Sequence, residues 1–308
     1  MIPHSFTATR RRTATVLARF FFLAASLLAP GCSIKRTVKV NVPQAILQAK
    51  TASFDELLGI IRSYDKINSL SCNELDLSLT SSRKIEIGEL EKYRTFQGYI
   101  LLRRPDSVRL VILAPVTKSR GLDVLSVGDK ISVWYQRDRK FFEGRNSARK
   151  LVIEDPAGTK EFSLPIRGSH IYEAIFPQSL TFDAPGVSIG VNEESDSQRR
   201  YYVLSVIQQD EPHRFHILRK IWIERSGLTI ARQQVFADGG QIVSDITYSA
   251  EARIGDFFLP LAIHMDRPID QYTLDLRFSK WNINPDLPAD AFELTPPPGA
   301  EIIQLKDK

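Results

Sequence analysis

Residues 121–136, GLDVLSVGDKISVWYQ, decide the fold class. Two apolar-rich runs, GLDVLSV (121–127) and KISVWYQ (130–136), flank Gly128-Asp129. A two-residue Gly/Asp link between alternating runs marks a β-hairpin, because the tight turn needs a positive φ that Gly adopts without steric cost. Period-2 alternation puts Ile131, Val133 and Tyr135 on one face of the second run.

The same pattern extends outward in both directions. FQGYILLRR (96–104) and VRLVILA (108–114) flank the turn signal Pro105-Asp106-Ser107, and Val108, Leu110 and Ile112 share one face. Leu75, Leu77 and Leu79 alternate with polar residues upstream, and KFFEG (140–144) follows Arg137-Asp138-Arg139. Downstream, YYVLSVIQQ (201–209), FHILRKIWIE (215–224), LTIARQQVFA (228–237), QIVSDITYSAEAR (241–253), FFLPLAIHMD (257–266) and QYTLDLRFSKWNI (271–283) read as strands. Ile217, Ile221 and Ile223 fall together, with Arg219 interrupting them. NEESDSQRR (192–200) reads as a polar loop, and the Pro-rich end has room for one short strand at most. Consecutive hairpins make an antiparallel sheet of about eleven strands. A sheet that large tends to curl. Before it, SFDELLGIIRSYDKINS (53–69) places Phe54, Leu57, Leu58, Ile61 and Tyr64 on one helical face, with Ser53 and Glu56 as a capping box. GSHIYEAIFP (168–177) reads as a second, short helix. The expected architecture is mainly β with an α lid: a curled, unclosed antiparallel β-barrel covered by the N-terminal amphipathic helix.

The first 31 residues read as a leader. Arg10, Arg11 and Arg12 precede the short apolar run Phe20 to Leu28, and Ala29-Pro30-Gly31 leads into Cys32. A charged n-region, a short h-region and small residues form the layout of a signal peptide, and nine apolar residues are too few to span a membrane. Leu28-Ala29-Pro30-Gly31-Cys32 resembles the bacterial lipobox, which implies an acylated Cys32 as the new N-terminus. Two or more acyl chains give a stable anchor. By resemblance to enterobacterial lipoproteins, Ser33 after the cysteine implies the outer membrane, on its periplasmic side. The expected organisation is leader 1–31, lipidated tether 32–52 and one domain over 53–308.

The charge balance fits this division. The chain carries 41 Lys+Arg against 36 Asp+Glu, but four of the arginines lie in the leader, so the remainder has a net charge of +1. That removes the usual reason to expect nucleic acid as a partner. Of the two cysteines, only Cys72 stays unmodified, so a disulfide framework is excluded and a buried small side chain is expected there.

A helix ending Ile67-Asn68-Ser69-Leu70, a strand Gly98 to Pro105 with a basic-Pro corner, the hairpin bearing Trp134-Tyr135, and the close Asn284 to Gly299 together resemble the LolA/LolB-type lipoprotein carrier and receptor superfamily. The resemblance covers most of 53–304. It implies an open barrel whose concave face holds acyl chains. The anchor implied at Cys32 puts the chain on the receptor-like side. Residues 145–200 are longer than that family's core needs.

Motifs for covalent chemistry are lacking: there is no G-x-S-x-G, no phosphate-cradling glycine loop and no H-E-x-x-H. His213 and His216 have a metal-like spacing, but no Cys or acid cluster completes a ligand set. Basic residues Arg103, Arg104, Arg109, Lys118 and Arg120 group near one sheet end and read as solvated mixed charge rather than a headgroup patch. The expected protein is a monomeric, non-enzymatic envelope lipoprotein without metal or cofactor. Its expected partners are acyl chains of membrane lipid or lipoproteins and a soluble periplasmic carrier. The lid face is expected at Phe54, Leu57 and Ile61, and the cavity lining at Val108, Leu110, Ile112, Ile131, Val133, Tyr135, Ile217, Ile221 and Ile223. An envelope-stress sensor or assembly scaffold on the same fold is the alternative, and an envelope-lipid hydrolase a distant third.

Overall fold

Ser53 caps the first helix among the described residues. Its Oγ accepts the Glu56 N–H at 3.3 Å, and its own N–H donates to Glu56 Oε2 at 2.7 Å. This reciprocal capping satisfies two of the backbone donors that a helix leaves open at its start. Helix α1 then runs Phe54–Ser63 and tightens into a 3-10 turn at Tyr64–Lys66. The expected helix over 53–69 stops early because Arg104 captures its end: Nη2 donates to the Tyr64 carbonyl at 2.9 Å and Nε to the Ile67 carbonyl at 2.8 Å.

The computed structural model describes residues 48–81, 95–146, 151–155, 158–160, 167–177 and 184–307. The described residues of 48–307 lie in one compact unit. The first meander is β1 (Ser69–Ser81), β2 (Phe96–Arg103), β3 (Ser107–Leu113), β4 (Arg120–Val127), β5 (Lys130–Tyr135) and β6 (Lys140–Arg145). Short strands β7 (Leu151–Asp155) and β8 (Gly158–Lys160) precede helix α2 (Gly168–Ile175). The second meander is β9 (Val187–Ser195), β10 (Arg200–Glu211), β11 (Arg214–Glu224), β12 (Thr229–Phe236), β13 (Ile242–Ile254), β14 (Phe257–Arg267) and β15 (Tyr272–Phe278). The chain finishes with β16 (Asn282–Ile283), a 3-10 turn at Ala289–Phe292, β17 (Glu301–Gln304) and β18 (Lys306–Asp307).

The main sheet has 15 strands, in the order β17-β6-β5-β4-β3-β2-β1-β15-β14-β13-β12-β11-β10-β9, with β16 also beside β1. Pairing of β1 with β15 joins the two meanders. The end strands β17 and β9 do not pair with each other, so the sheet is unclosed. It is also curled. Gly168, at the start of α2, lies against Ser126 of β4, while Glu173 five residues later reaches Arg219 of β11. Along the sheet β4 and β11 are eight steps apart, about 38 Å at ~4.8 Å per step, whereas five helical residues span only about 8 Å. Both contacts fit only if the sheet bends around the helix.

The expectation of about eleven strands is corrected to 15, with β7, β8 and β18 forming a second, three-stranded sheet. Part of the difference is β9, which extends through Ser195 into the stretch read as a polar loop. It is an edge strand carrying Asn192, Glu193 and Glu194, and it is anchored by polar contacts: Trp222 Nε1 donates to Glu194 Oε2 at 2.9 Å, and Arg225 pairs with Glu193. The Pro-rich stretch 284–305 holds one short strand, β17, in line with the expected single strand at most, and β18 follows it. Strand β17 lies parallel to β6, so the sheet is not purely antiparallel.

Inward-facing residues form one core. Its registers pair like with like: Ile100 opposite Leu110, Val124 opposite Val133, Leu77 opposite Leu276 and Ile246 opposite Met265. Leu57, Leu58 and Ile61 of α1 and Ile171, Tyr172 and Ile175 of α2 complete it. Cys72 is wholly buried there, as expected of a small apolar side chain. On the opposite face of β2–β4, the segment around Ala289–Phe292 covers Leu101 and Leu125.

Candidate functional site

The concave face is apolar over most of its area. Val108, Leu110, Ile112, Ile131, Val133, Tyr135, Ile221 and Ile223 are buried on it, as are Leu57 and Ile61 from α1. The structure therefore brings ten of the singled-out residues into one core. Two stand apart: Ile217 is half-buried beyond its edge, and Phe54 is 45% exposed at the start of α1. Phe54 is the first residue of the helix, and α1 turns Leu57, Leu58 and Ile61 inward instead. Cys32 lies outside the described residues.

In this conformation side chains fill the interior. A crevice lined by Tyr64, Ile230, Tyr248, Glu251 and Phe258 has a volume of about 10 Å³. That is room for about one water at most and far from room for an acyl chain. Burial pushes the Tyr64 and Tyr248 hydroxyls well above the usual range, so both remain hydrogen-bond donors. Tyr64 donates to the Phe258 carbonyl at 2.7 Å and Tyr248 to the Ala174 carbonyl at 2.8 Å. Gln233 Nε2 donates to the Glu173 carbonyl at 2.9 Å. The last two bonds serve carbonyls at the end of α2 that have no partner within the helix.

One rim of the concave face is polar. Arg219 lies opposite Val235, Val235 opposite Ser244, and Arg267 opposite Tyr272. The neighbouring inward row is Ile221, Gln233, Ile246, Met265 and Leu274. Arg219, Arg267, Ser244 and Gln233 are all buried. The Glu173 carboxylate on α2 sits between the two guanidinium groups, 3.4 Å from Arg219 Nη2 and 3.6 Å from Arg267 Nη1. Asp270 holds Arg267 Nε from the other side at 2.7 Å. Beside them His170 Nδ1 lies 2.7 Å from the Tyr272 hydroxyl. Burial, then the charges of Arg267 and Arg167, hold the His170 pKa well below its usual 6.5. The sequence reading noted Arg219 only as an interruption. The usable signal was positional, since Arg219 and Arg267 occupy inward places in otherwise apolar alternations.

The basic group on β2–β4 is spoken for by local partners. Arg103 lies 4.3 Å from the centre of the Phe292 ring, and Arg109 grips Asp123. Next to them an open groove of about 420 Å³ is lined by Tyr99, Leu101, Arg109, Arg120, Pro288 and Asp290 among others. His213 takes φ +68 in the β10–β11 turn, and His216 pairs with Asp210 at 2.7 Å. Among the described residues no group of three His, Cys, Asp or Glu side chains is placed to hold a metal ion.

A family described as "Predicted periplasmic protein (DUF2092)" matches residues 261–306. Curated proteins yield no match. Similar solved structures include a DUF1329 family protein from Desulfovibrio piger, 13% identical over 77% of this chain and 95% of that one, with a TM-score of 0.49. A LolA superfamily protein from Nitrosomonas europaea is 14% identical over 79% and 99% of the two chains, with a TM-score of 0.45. An outer membrane lipoprotein-sorting protein domain from Vibrio parahaemolyticus is 12% identical over 78% and 97%, with a TM-score of 0.46. The superfamily that the sequence resembles is thus among these structural likenesses.

Proposed function

We propose that this chain is an envelope lipoprotein, anchored through an acylated Cys32 at the periplasmic side of the outer membrane. Its concave face binds acyl chains beneath α1 and α2 in lipid or lipoprotein trafficking. One observation carries the reading: among the described residues, the apolar face of an unclosed sheet packs against Leu57, Leu58 and Ile61 of α1 and Ile171, Tyr172 and Ile175 of α2. Such a cover is separable from the sheet. Uncovering Leu57, Leu58 and Ile61 costs about 4.5–9 kcal/mol at ~1.5–3 kcal/mol per side chain, whereas a chain of roughly fourteen methylenes gains about 11 kcal/mol at ~0.8 kcal/mol each. An acyl chain therefore offsets displacement of α1, and the filled interior is the closed form. The match of 261–306 to a family described as periplasmic supports the envelope location.

The test uses the exported chain with Cys32→Ala, purified without detergent and weighed by native mass spectrometry. A bound mass that extracts as phospholipid, fatty acid or acyl-peptide is the expected result. The double variant Leu57→Asp, Ile61→Asp is expected to lose it while keeping its strands by circular dichroism. An unchanged bound mass in that variant removes the lid role of α1.

A second reading, a scaffold for a protein partner, is favoured by the contrast between the 10 Å³ interior crevice and the 420 Å³ polar groove on the other face. A clean apo mass after incubation with lipid, together with one stable crosslinked partner, selects it.

A further inference from the structure

We propose that Arg219 and Arg267 form the head-group end of the acyl-binding face: a site for one anionic group, carboxylate or phosphate, at the tip of an apolar chain, occupied in this conformation by the Glu173 carboxylate. The inference rests on the acyl-binding reading and names its ligand as an anionic amphiphile.

Three observations carry it. The first is the juxtaposition. The row with Arg219, Ser244 and Arg267 borders a mainly apolar row, Ile221, Ile246, Met265 and Leu274 with Gln233 among them, across the same strands. A ligand matching both rows has an aliphatic chain and a charged end. The second is the occupant. Charge-assisted Arg–carboxylate bonds prefer about 2.7–2.9 Å, whereas Glu173 stands at 3.4 and 3.6 Å from its two guanidinium groups. It bridges them without gripping either. Its side chain is 17% exposed, so it has a path to solvent. The third is unmet bonding. Among the described residues, Arg267 Nη1, Ser244 Oγ and Gln233 Oε1 are buried and make no hydrogen bond, and Arg267 is only 5% exposed. Arg267 Nη1 and Ser244 Oγ are donors, and buried donors cost free energy until an acceptor meets them, whereas Gln233 Oε1 is an acceptor that an anion does not serve. A carboxylate or phosphate between the two guanidinium groups supplies acceptors for Arg267 and Ser244, which the longer reach of Glu173 does not.

Exchange of the two anions is coupled to the cover, because Glu173 belongs to α2. A ligand head between Arg219 and Arg267 displaces the Glu173 carboxylate toward solvent and loosens α2 over the apolar rows. The reverse exchange closes the face again.

The test is displacement of the neutral probe N-phenyl-1-naphthylamine from the Cys32→Ala chain by palmitate, hexadecyl phosphate, 1-hexadecanol, acetate and inorganic phosphate. Palmitate or hexadecyl phosphate is expected to compete at concentrations at least tenfold lower than hexadecanol, and which of the two is stronger identifies the head. Acetate and inorganic phosphate are expected to compete weakly. Arg267→Gln and Arg219→Gln should bring the anionic chains to parity with the alcohol. Glu173→Gln, at a partly exposed position, should strengthen both anions severalfold and leave the alcohol unchanged. That gain keeps the test decisive if an arginine variant fails to fold. Equal competition by alcohol and anions in the unaltered chain, or no gain in Glu173→Gln, overturns the head-group site and leaves acyl binding standing. Failure of the probe and of every chain to bind overturns both.

Discussion

Arg109 of β3 and Asp123 of β4 form a diagonal, two-pronged ion pair, with Asp123 in register with Val111. Nε donates to Oδ1 at 3.0 Å and Nη2 to Oδ2 at 2.8 Å. Asp123 is 1% exposed. The remaining nitrogen, Nη1, donates to the Ala291 carbonyl at 2.9 Å, which ties the C-terminal segment to the sheet. Hydrogen bonding to Asp123 raises the Arg109 pKa further, so the guanidinium stays charged at every working pH. Removing the carboxylate leaves a largely buried charge without its partner, which costs about 3–5 kcal/mol. Asp123→Ala is expected to lose that much in urea unfolding, and Asp123→Ala with Arg109→Met to recover most of it. A loss below about 1 kcal/mol in the single variant contradicts the assignment.

The start of α1 gives a second expectation. Ser53→Ala removes the acceptor for the Glu56 N–H and is expected to cost about 1 kcal/mol, the usual value for a lost N-cap. Because α1 is a short cover, the effect should be local. Amide exchange in 54–63 is expected to accelerate several-fold, while β13 and β14 keep their protection. Equal acceleration in those strands would show that α1 and the sheet open as one unit.

Gly168 offers a packing test. A Cβ built there collides with the Ser126 Cβ and crowds the Val108 Cβ. The start of α2 can therefore approach β4 only without a side chain. Gly168→Ala is expected to cost about 1–3 kcal/mol by overpacking. Adding Ser126→Gly removes the opposing atom, so the double variant should regain part of the loss in a double-mutant cycle. Simple addition of the two single effects would place the strain elsewhere.

The alternating strands from Phe96 to Tyr135 and from Tyr201 to Phe278 were legible because each buries one face, and period 2 records that directly. The hairpin at Gly128 was legible because a two-residue turn demands a positive φ, and Gly128 takes φ +57. Strand β9 was not legible. Its apolar alternation is confined to Val187, Ile189 and Val191, and the half carrying the exposed Asn192, Glu193 and Glu194 is held by contacts to Trp222 of β11 and Arg225 just after it. The end of α1 was misjudged for a similar reason, since Arg104 lies 40 residues beyond the carbonyl it takes. Inward positions such as Val108 and Ile221 were legible as a set. The polar rim was not, because Glu173 on α2 meets Arg219 and Arg267 only through the curl of the sheet.

His170 should make stability pH-dependent with a definite sign. Its Nδ1 faces the Tyr272 hydroxyl at 2.7 Å. Burial keeps that hydroxyl protonated far above the usual range, so Tyr272 donates and the imidazole accepts as the neutral form. The charges of Arg267 and Arg167 also oppose a second positive charge there. The folded pKa therefore lies below the unfolded value of 6.5, and in that window the unfolded chain binds more protons. Stability from this group is fully present above 6.5 and falls as the pH drops through 6.5 toward the folded pKa, by up to about 1.4 kcal/mol per pH unit. Glu251 acts in the opposite sense. Burial raises its pKa above 4.5, so the folded chain holds that proton more tightly and stability from it falls as the pH rises. Comparing the unaltered chain with His170→Gln separates the two. Urea unfolding between about pH 7.5 and 5 should show a steeper acid-side loss in the unaltered chain, with the difference opening below 6.5. Parallel curves for the two proteins would mean that His170 charges freely in the folded state, and that the arginine-rich end of the concave face imposes no cost on a further cation.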